Sequence, residues 1–189
     1  TFTSFGVYDD GSLCRHLDIF AGSGSVGLES LSRGASSCTF VDLSSDCCAC
    51  IERNLKLTRL GETGTDNNNG TTSRAQVVCA DALTVLRDPA AVGIPQGTTF
   101  QILTLCPPYE EVVYGELLGA VVGSPLVTDD SLILLEYPVE LGNLPHVVTV
   151  NDHTAVGVRN RRYGRTVIAM YVINPTGKVE ASSRPEEFV

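Results

Sequence analysis

The chain has 189 residues, a formal net charge of −9 at pH 7 and 43% hydrophobic side chains, which suits a single domain over residues 1–189 with a full-sized core. The acidic balance argues against a general nucleic-acid-coating protein, and no apolar run approaches the roughly 18 residues that span a bilayer. The seven cysteines are odd in number, and a disulfide scaffold or zinc ribbon is not expected. We interpret Cys47 and Cys50, in C-x-x-C spacing, as small helix residues, with a redox pair as the alternative.

Predicted strands and helices alternate along most of the chain. The predicted strands are residues 14–20, 37–42, 75–80, 100–105, 131–137, 147–150 and 166–173. The predicted helices are residues 25–32, 45–57, 82–87 and 117–122. Residues 1–12 are expected to be a flexible entry, 61–74 a solvated insertion, and 174–189 a frayed tail. This alternation, closed by a β pair, predicts an α/β fold whose open sheet is mostly parallel, with an antiparallel edge strand.

A glycine turn joins the first predicted strand to the first helix. Gly22, Gly24 and Gly27 stand in G-x-G-x-x-G order, and glycine accepts positive φ and lets a ligand approach bare backbone. An ordinary tight turn is the alternative. Asp42 lies twenty residues after Gly22, where a βαβ unit places a carboxylate that binds a ribose hydroxyl. A helix N-cap is the alternative for Asp42, although Ser44 and Ser45 compete for that position.

The fourth predicted strand runs into the Cys-Pro-Pro-Tyr segment at residues 106–109. Ligands of open α/β sheets bind beyond the carboxyl ends of the strands, where the glycine turn, Asp42, Asp81 and this segment all fall. A proline-fixed carbonyl can accept a hydrogen bond from an exocyclic amine, and the aromatic ring can stack on a flat base. A rigid loop with a packed tyrosine is the alternative. The segment favours an S-adenosylmethionine (SAM) methyltransferase over a nicotinamide-dependent oxidoreductase, because hydride transfer has no evident use for it.

A family resemblance narrows this choice. The segments DIFAGSGSVGLESLSRGA, FVD, PPY and RRYGRT, in this order and spacing, resemble the RsmD-like family of SAM-dependent guanine-N2 methyltransferases of small-subunit ribosomal RNA. The resemblance runs from about His16 to Tyr171. It implies a Rossmann-like class I methyltransferase fold, SAM as cofactor, and ribosomal RNA in an assembling small subunit as partner, with no metal and no membrane. A catalytically impaired structural or assembly subunit is one alternative, and an NAD-dependent oxidoreductase is a more remote one.

The same resemblance implies the roles of individual residues. The cofactor-binding residues would be Asp18, Phe20, Gly22, Gly24, Asp42, Asp81 and Ala82. The catalytic group would be Cys106, Pro107, Pro108 and Tyr109, which would hold the guanine. The family has Asp or Asn where this chain has Cys106, and a thiol is a poorer acceptor for the guanine amine than a carboxylate or amide oxygen. Activity therefore depends on the Pro107 carbonyl or on a Cys106 thiolate, which would restore an acceptor.

The basic segment near the end of the chain is the candidate RNA contact. Its members are Arg159, Arg161, Arg162 and Arg165, which could bind phosphates. A solvated turn closed by Tyr163 and Gly164 is the alternative. The net charge of −9 favours an assembled ribosomal particle over naked RNA as substrate. The Asn-rich insertion, the cysteine content and the bacterial type of the family predict a plastid or mitochondrial location, with the cytoplasm as the alternative.

Overall fold

A computed structural model describes residues 14–62, 73–179 and 181–189, which form one sheet in the order β3-β2-β1-β4-β5-β8-β7-β6. The strands are β1 (Arg15–Ile19), β2 (Ser37–Asp42), β3 (Ala75–Cys79), β4 (Ile102–Leu105), β5 (Leu132–Pro138), β6 (Val147–Val150), β7 (His153–Tyr163) and β8 (Thr166–Ile173). The helices are α1 (Ser25–Ser32), α2 (Ser45–Thr58), α3 (Ala82–Arg87) and α4 (Tyr114–Val122). Within these ranges, no helix is both long and apolar enough to cross a membrane.

The strand order confirms the predicted Rossmann-like α/β fold. Strands β1 to β5 pair in parallel, and β8, β7 and β6 then extend the sheet in antiparallel fashion from β5. The order reverses between β1 and β4, which makes their carboxyl ends a topological switch point. Crevices at such points are where open α/β sheets bind ligands.

The helices cover both faces of the sheet. The larger core cluster includes the buried faces of α3 and α4, and a smaller cluster joins Leu31 of α1 and Ile51 of α2 to Phe40 of β2. Gly27 brings α1 close to the sheet, because a Cβ at this position would overlap the Phe40 ring and lie 2.6 Å from the Cys38 sulfur. This is the close helix–strand contact that the third glycine of the motif permits.

The sequence predicted that residues 147–150 and 166–173 form a closing pair of strands in the sheet, and this pairing is wrong. Strand β7 lies between the two predicted strands and pairs with both β6 and β8. It also carries most of the basic segment, which the sequence-based prediction placed between the two predicted strands without a strand of its own. The register shifts between Gly157 and Arg159, and such a bulge breaks the alternation by which a strand is found in a sequence.

The prediction of a frayed carboxyl-terminal tail is wrong for the described residues. Phe188 is 7% exposed and packs against His146 and Tyr171. It lies over Gly157, where a Cβ would approach its ring to 2.5 Å. Phe188 anchors the tail to the core, and the polar composition of the rest of the tail did not predict this contact. The predicted flexible entry, and residues 63–72 of the predicted insertion, lie outside the described residues.

Candidate active site

The glycine turn leaves β1 and enters α1 through left-handed backbone. Phe20, Gly22 and Gly24 have φ angles of 60°, 57° and 77°. Gly24 is the N-cap of α1 and donates its N–H to the carbonyl of Ala21 at 2.7 Å. Positive φ is uncommon for a bulky residue such as phenylalanine and costs energy. Phe20 is held there by packing against the larger core cluster.

Asp42 joins the end of β2 to the glycine turn. Its Oδ2 accepts the N–H of Gly22 at 2.8 Å, and its Oδ1 accepts the N–H of Ser44 at 2.9 Å. Ser44 is the N-cap of α2, and its hydroxyl accepts the N–H of Cys47, so the alternative of Asp42 as the cap is wrong. Each carboxylate oxygen has a second lone pair. Asp42 can therefore accept further hydrogen bonds from the hydroxyls of a ligand.

Asp18 supports the turn from behind. It is 1% exposed, and its oxygens accept the Thr104 hydroxyl at 2.6 Å and the N–H of Gly27 at 3.0 Å. The Thr104 oxygen also lies 2.8 Å from Nε2 of His16. Because Thr104 gives its proton to Asp18, His16 is the donor in that bond. Asp18 thus fixes the first turn of α1 against β1 and β4 rather than facing an open pocket.

Burial shifts the pKa values of Asp18 and His16, the two residues at the ends of this hydrogen-bonded chain. It raises the pKa of Asp18 from 3.8 to about 6, against the opposing effect of the hydrogen bonds from Thr104 and Gly27. It lowers the pKa of His16 from 6.5 to about 3. His16 is therefore neutral at pH 7, while Asp18 is ionised but close to its titration range.

We expect these two residues to have opposing effects on the pH dependence of stability. The unfolded chain loses the Asp18 proton near pH 4 and the folded chain near pH 6, so Asp18 lowers stability as the pH rises between them. His16 has its lowered pKa in the folded state, so it raises stability as the pH rises from about 3 to 6.5. The two effects cancel between pH 4 and 6, and the contribution of the pair falls below pH 4.

A His16→Gln variant keeps a donor for Thr104 but removes the titration. Its stability relative to the wild type should then fall by roughly 3 kcal/mol as the pH rises from 4 to 6. Urea unfolding at several pH values measures this difference. Asp18 titrates in both proteins, so a difference that is independent of pH would show that the folded chain does not lower the pKa of His16.

The adenine-binding residues implied by the resemblance lie at the end of β3. Asp81 caps α3, and its Oδ1 accepts the N–H and the hydroxyl of Thr84 at 2.9 and 3.1 Å. Ala82 is buried at the start of that helix. Sequence reasoning missed Leu43, which follows Asp42 and is 72% exposed. An apolar residue directly after the acid at a strand end was the available signal.

The Cys-Pro-Pro-Tyr turn lies beside the glycine turn. The N–H of Cys106 reaches the carbonyl of Ile19, the last residue of β1, at 3.4 Å. Pro107 is buried and Pro108 is exposed. Burial, followed by the carboxylates of Glu136 and Asp18, raises the pKa of the Cys106 thiol to about 12. The thiolate alternative for Cys106 is therefore wrong at neutral pH.

Two residues that sequence reasoning missed hold Tyr109. Its hydroxyl donates to Oε1 of Glu136 at 2.6 Å and lies 2.6 Å from Oγ1 of Thr166. The available signal for Glu136 was a single acid within an otherwise apolar strand. These contacts fix the position of the Tyr109 ring, and they tie the start of β8 to the turn after β4.

The predicted RNA-binding arginines lie on the hairpin of β7 and β8. Arg161 pairs with Glu187 at 3.5 Å and Arg165 with Glu140 at 2.8 Å. Arg162 donates to the carbonyl of Gly164 at 2.8 Å, and Arg159 lies within the hairpin on β7. Arg165 directly precedes Thr166, so the tip of the hairpin is beside the turn that holds Tyr109.

The structure thus brings the glycine turn, Asp42 and the Cys-Pro-Pro-Tyr turn to the carboxyl ends of neighbouring parallel strands. The switch point between β1 and β4 carries a glycine turn, an acid at the end of β2 and a proline-fixed turn after β4. This fold and arrangement are those of the class I, Rossmann-like methyltransferases. The family model described as "Conserved hypothetical protein 95" matches residues 2–172. The chain belongs to this RsmD-like family, which confirms the resemblance found in the sequence.

Named relatives agree with this assignment. The Bacillus subtilis (strain 168) protein "Putative rRNA methyltransferase YlbH" is 35% identical over 170 residues, which are 90% of this chain and 80% of that protein. The Escherichia coli (strain K12) "Ribosomal RNA small subunit methyltransferase D" is 30% identical over 131 residues, which are 69% of this chain and 56% of that protein. The solved Escherichia coli structure "Putative methyltransferase yhhF" superimposes with a TM-score of 0.63 at 26% identity, covering 84% of this chain and 75% of that one.

Proposed function

We propose that the protein is a SAM-dependent methyltransferase that methylates the exocyclic N2 of a guanine in small-subunit ribosomal RNA. The observation that carries this proposal is the hydrogen bond from Cys106 to Ile19. It joins the turn that would hold the acceptor to the strand that leads into the glycine turn. The name of the Escherichia coli relative, a small-subunit ribosomal RNA methyltransferase, supports the class of substrate.

The residues at the switch point fit SAM. Gly22 leaves open space, since no heavy atom of the described residues, apart from Gly22 and its two chain neighbours, lies within 4 Å of where its Cβ would be. The turn around Gly22 and Gly24 would hold the methionine end, and Asp42 would accept the ribose hydroxyls. The exposed side chain of Leu43 and Ala82 would lie against the adenine. Asp81 could accept a hydrogen bond from the adenine amine. When bound, SAM supplies an electrophilic methyl group on a sulfonium.

The Cys-Pro-Pro-Tyr turn would position the guanine, which is the methyl acceptor. The Pro107 carbonyl accepts one N–H of the exocyclic amine, and the Tyr109 ring stacks on the base. Glu136 and Thr166 hold that ring through its hydroxyl, so the base is placed without rearrangement of the turn. The catalytic effect would come mainly from aligning the amine nitrogen with the methyl group.

The arginine hairpin would bind the phosphates that flank the target guanine. Arg161 and Arg165 already carry carboxylate partners, which limits their attraction for phosphate. The chain is also acidic as a whole. We therefore propose that the substrate is an assembling small subunit, in which contacts to ribosomal protein add to contacts with RNA.

Methyl transfer from tritiated SAM tests this function. Small subunits and naked ribosomal RNA are prepared from Escherichia coli cells that lack their own small-subunit methyltransferase relative. Each is incubated with the purified protein, and the nucleosides are then analysed. We expect N2-methylguanosine at one position, with subunits methylated faster than naked RNA. Tight binding of NAD without binding of SAM would overturn the proposal, and equal rates on both substrates would overturn its subunit part.

A structural role is a second candidate, favoured by the protonated thiol at position 106. It predicts that wild-type protein transfers no methyl group and that Cys106→Asp gains activity. The proposed enzymatic role predicts an active wild type and only a modest change in this variant. Methyl transfer by the two proteins under the same conditions separates the candidates.

A further inference from the structure

Glu136 lies beside Cys106, the first residue of the Cys-Pro-Pro-Tyr turn. Leu105 of β4 and Leu135 of β5 are register partners in a parallel pair, so the next residues, Cys106 and Glu136, are neighbours on adjacent strands. Side chains at paired positions of adjacent parallel strands point to the same face of the sheet. The Glu136 carboxylate therefore lies beside the position where the family has a carboxylate or an amide.

The carboxylate is anchored but retains accepting capacity. Its Oε1 accepts the Tyr109 hydroxyl at 2.6 Å, and the two oxygens of a carboxylate together offer about four acceptor positions. The Glu136 carboxylate contributes to the raised pKa of the neighbouring Cys106 thiol, and a thiol is only a weak donor to it. An amine N–H can therefore take the place of the thiol as a donor to this carboxylate.

An exocyclic amine needs two acceptors to be held in one orientation. The amine has two N–H groups, and the Pro107 carbonyl can accept only one of them from its side of the base. With both N–H groups held in the plane of the base, the nitrogen lone pair stands out of that plane, toward the methyl group. Fixing this geometry before the reaction is the main source of rate for a direct displacement.

On the basis of the proposed function, we propose that Glu136 is a catalytic residue that accepts the second N–H of the guanine amine, in place of the side chain replaced by Cys106. Tyr109 then has two functions, because its ring faces the base while its hydroxyl orients the Glu136 carboxylate. Thr166 holds the same hydroxyl from β8.

The transfer step balances with this assignment. The amine nitrogen forms a bond to the methyl carbon as the carbon–sulfur bond breaks, and the electron pair of that bond stays on sulfur. The methylated amine then carries one proton in excess. Glu136 accepts this proton and releases it to water, so that the carboxylate is restored for the next turnover.

The test compares Glu136→Gln with Glu116→Gln, the same substitution at an exposed glutamate of α4 that pairs with Arg87. We expect Glu136→Gln to lower the single-turnover rate at saturating SAM by about 100-fold, because the one oxygen of Gln would accept the Tyr109 hydroxyl and its NH2 group, a donor, would face the guanine amine. The affinity for SAM, measured by calorimetry, and the melting temperature should stay at their wild-type values. Glu116→Gln should match the wild type in all three measurements.

A second variant makes the test independent of the first. Asp at position 106 supplies the missing carboxylate. The double variant with Cys106→Asp and Glu136→Gln should therefore react at least about tenfold faster than Glu136→Gln alone. A Glu136→Gln rate within about threefold of the wild type, or failure of the second change to restore rate, would overturn the proposal for Glu136 alone. A loss of rate accompanied by lower SAM affinity or melting temperature would assign Glu136 a structural role instead. Absence of methyl transfer by the wild type would remove the proposed function, and this inference with it.

Discussion

Asp42→Ala should weaken the binding of SAM by about 100-fold, which corresponds to about 3 kcal/mol. The change removes the proposed acceptor for the ribose hydroxyls. It also leaves the N–H groups of Gly22 and Ser44 without their carboxylate partner, so the glycine turn keeps only its backbone hydrogen bond from Ala21 to Val41 of β2. Calorimetric titration with SAM measures the effect.

The matched control is Asp46→Ala, which removes an exposed acid from the first turn of α2. Its affinity for SAM should equal that of the wild type. Asp42→Asn should lie between the two, because an amide oxygen can replace only one of the two acceptors. If Asp42→Ala binds SAM as well as the control does, the end of β2 is not the ribose site.

Gly27→Ala should lower the free energy of unfolding by about 2–3 kcal/mol, since it overpacks the contact between α1 and the sheet. The new methyl group would overlap the Phe40 ring and crowd the Cys38 sulfur. Both residues are buried in the smaller core cluster, so the contact cannot open without moving the helix. This cost exceeds the gain of about 1 kcal/mol that alanine brings to a helix interior.

Gly119→Ala in α4 is the matched control, because no heavy atom among the described residues crowds the position of its Cβ within 4 Å. It should raise the stability by about 0.5–1 kcal/mol, the difference in helix propensity. Urea unfolding of both variants measures the contrast. A gain of stability in both variants would mean that the backbone of α1 adjusts to the methyl group.

The parallel half of the fold was predictable from the sequence for a physical reason. Strands β1, β2, β4 and β5 are largely buried and β3 is partly exposed, and glycine, proline or an acid lies at or shortly after the carboxyl end of each strand. Strand β7 was not predictable in the same way. It is bulged between Gly157 and Arg159 and carries exposed arginines, so its stability comes from pairing with β8 rather than from its own pattern.

The position of the candidate site was predictable, but its supporting contacts were not. That Tyr109 reaches Glu136 and Thr166 depends on the register of β8 against β5, in which Pro138 faces Thr166. Local patterns carry no information about such a long-range register. The burial of Asp18 likewise depends on Thr104, which the neighbouring strand supplies. The sequence shows only that an acid lies near the end of β1.

Contacts within the folded chain hold the glycine turn in its left-handed conformation. Phe20, Gly22 and Gly24 have left-handed backbone, and the N–H groups of Ala21 and Gly24 already have carbonyl partners. Fixing one residue costs about 1–2 kcal/mol of conformational entropy, and here that cost belongs to folding rather than to binding. A nucleotide-like ligand then meets a preorganised surface, so its association is governed by encounter and desolvation rather than by the ordering of a loop.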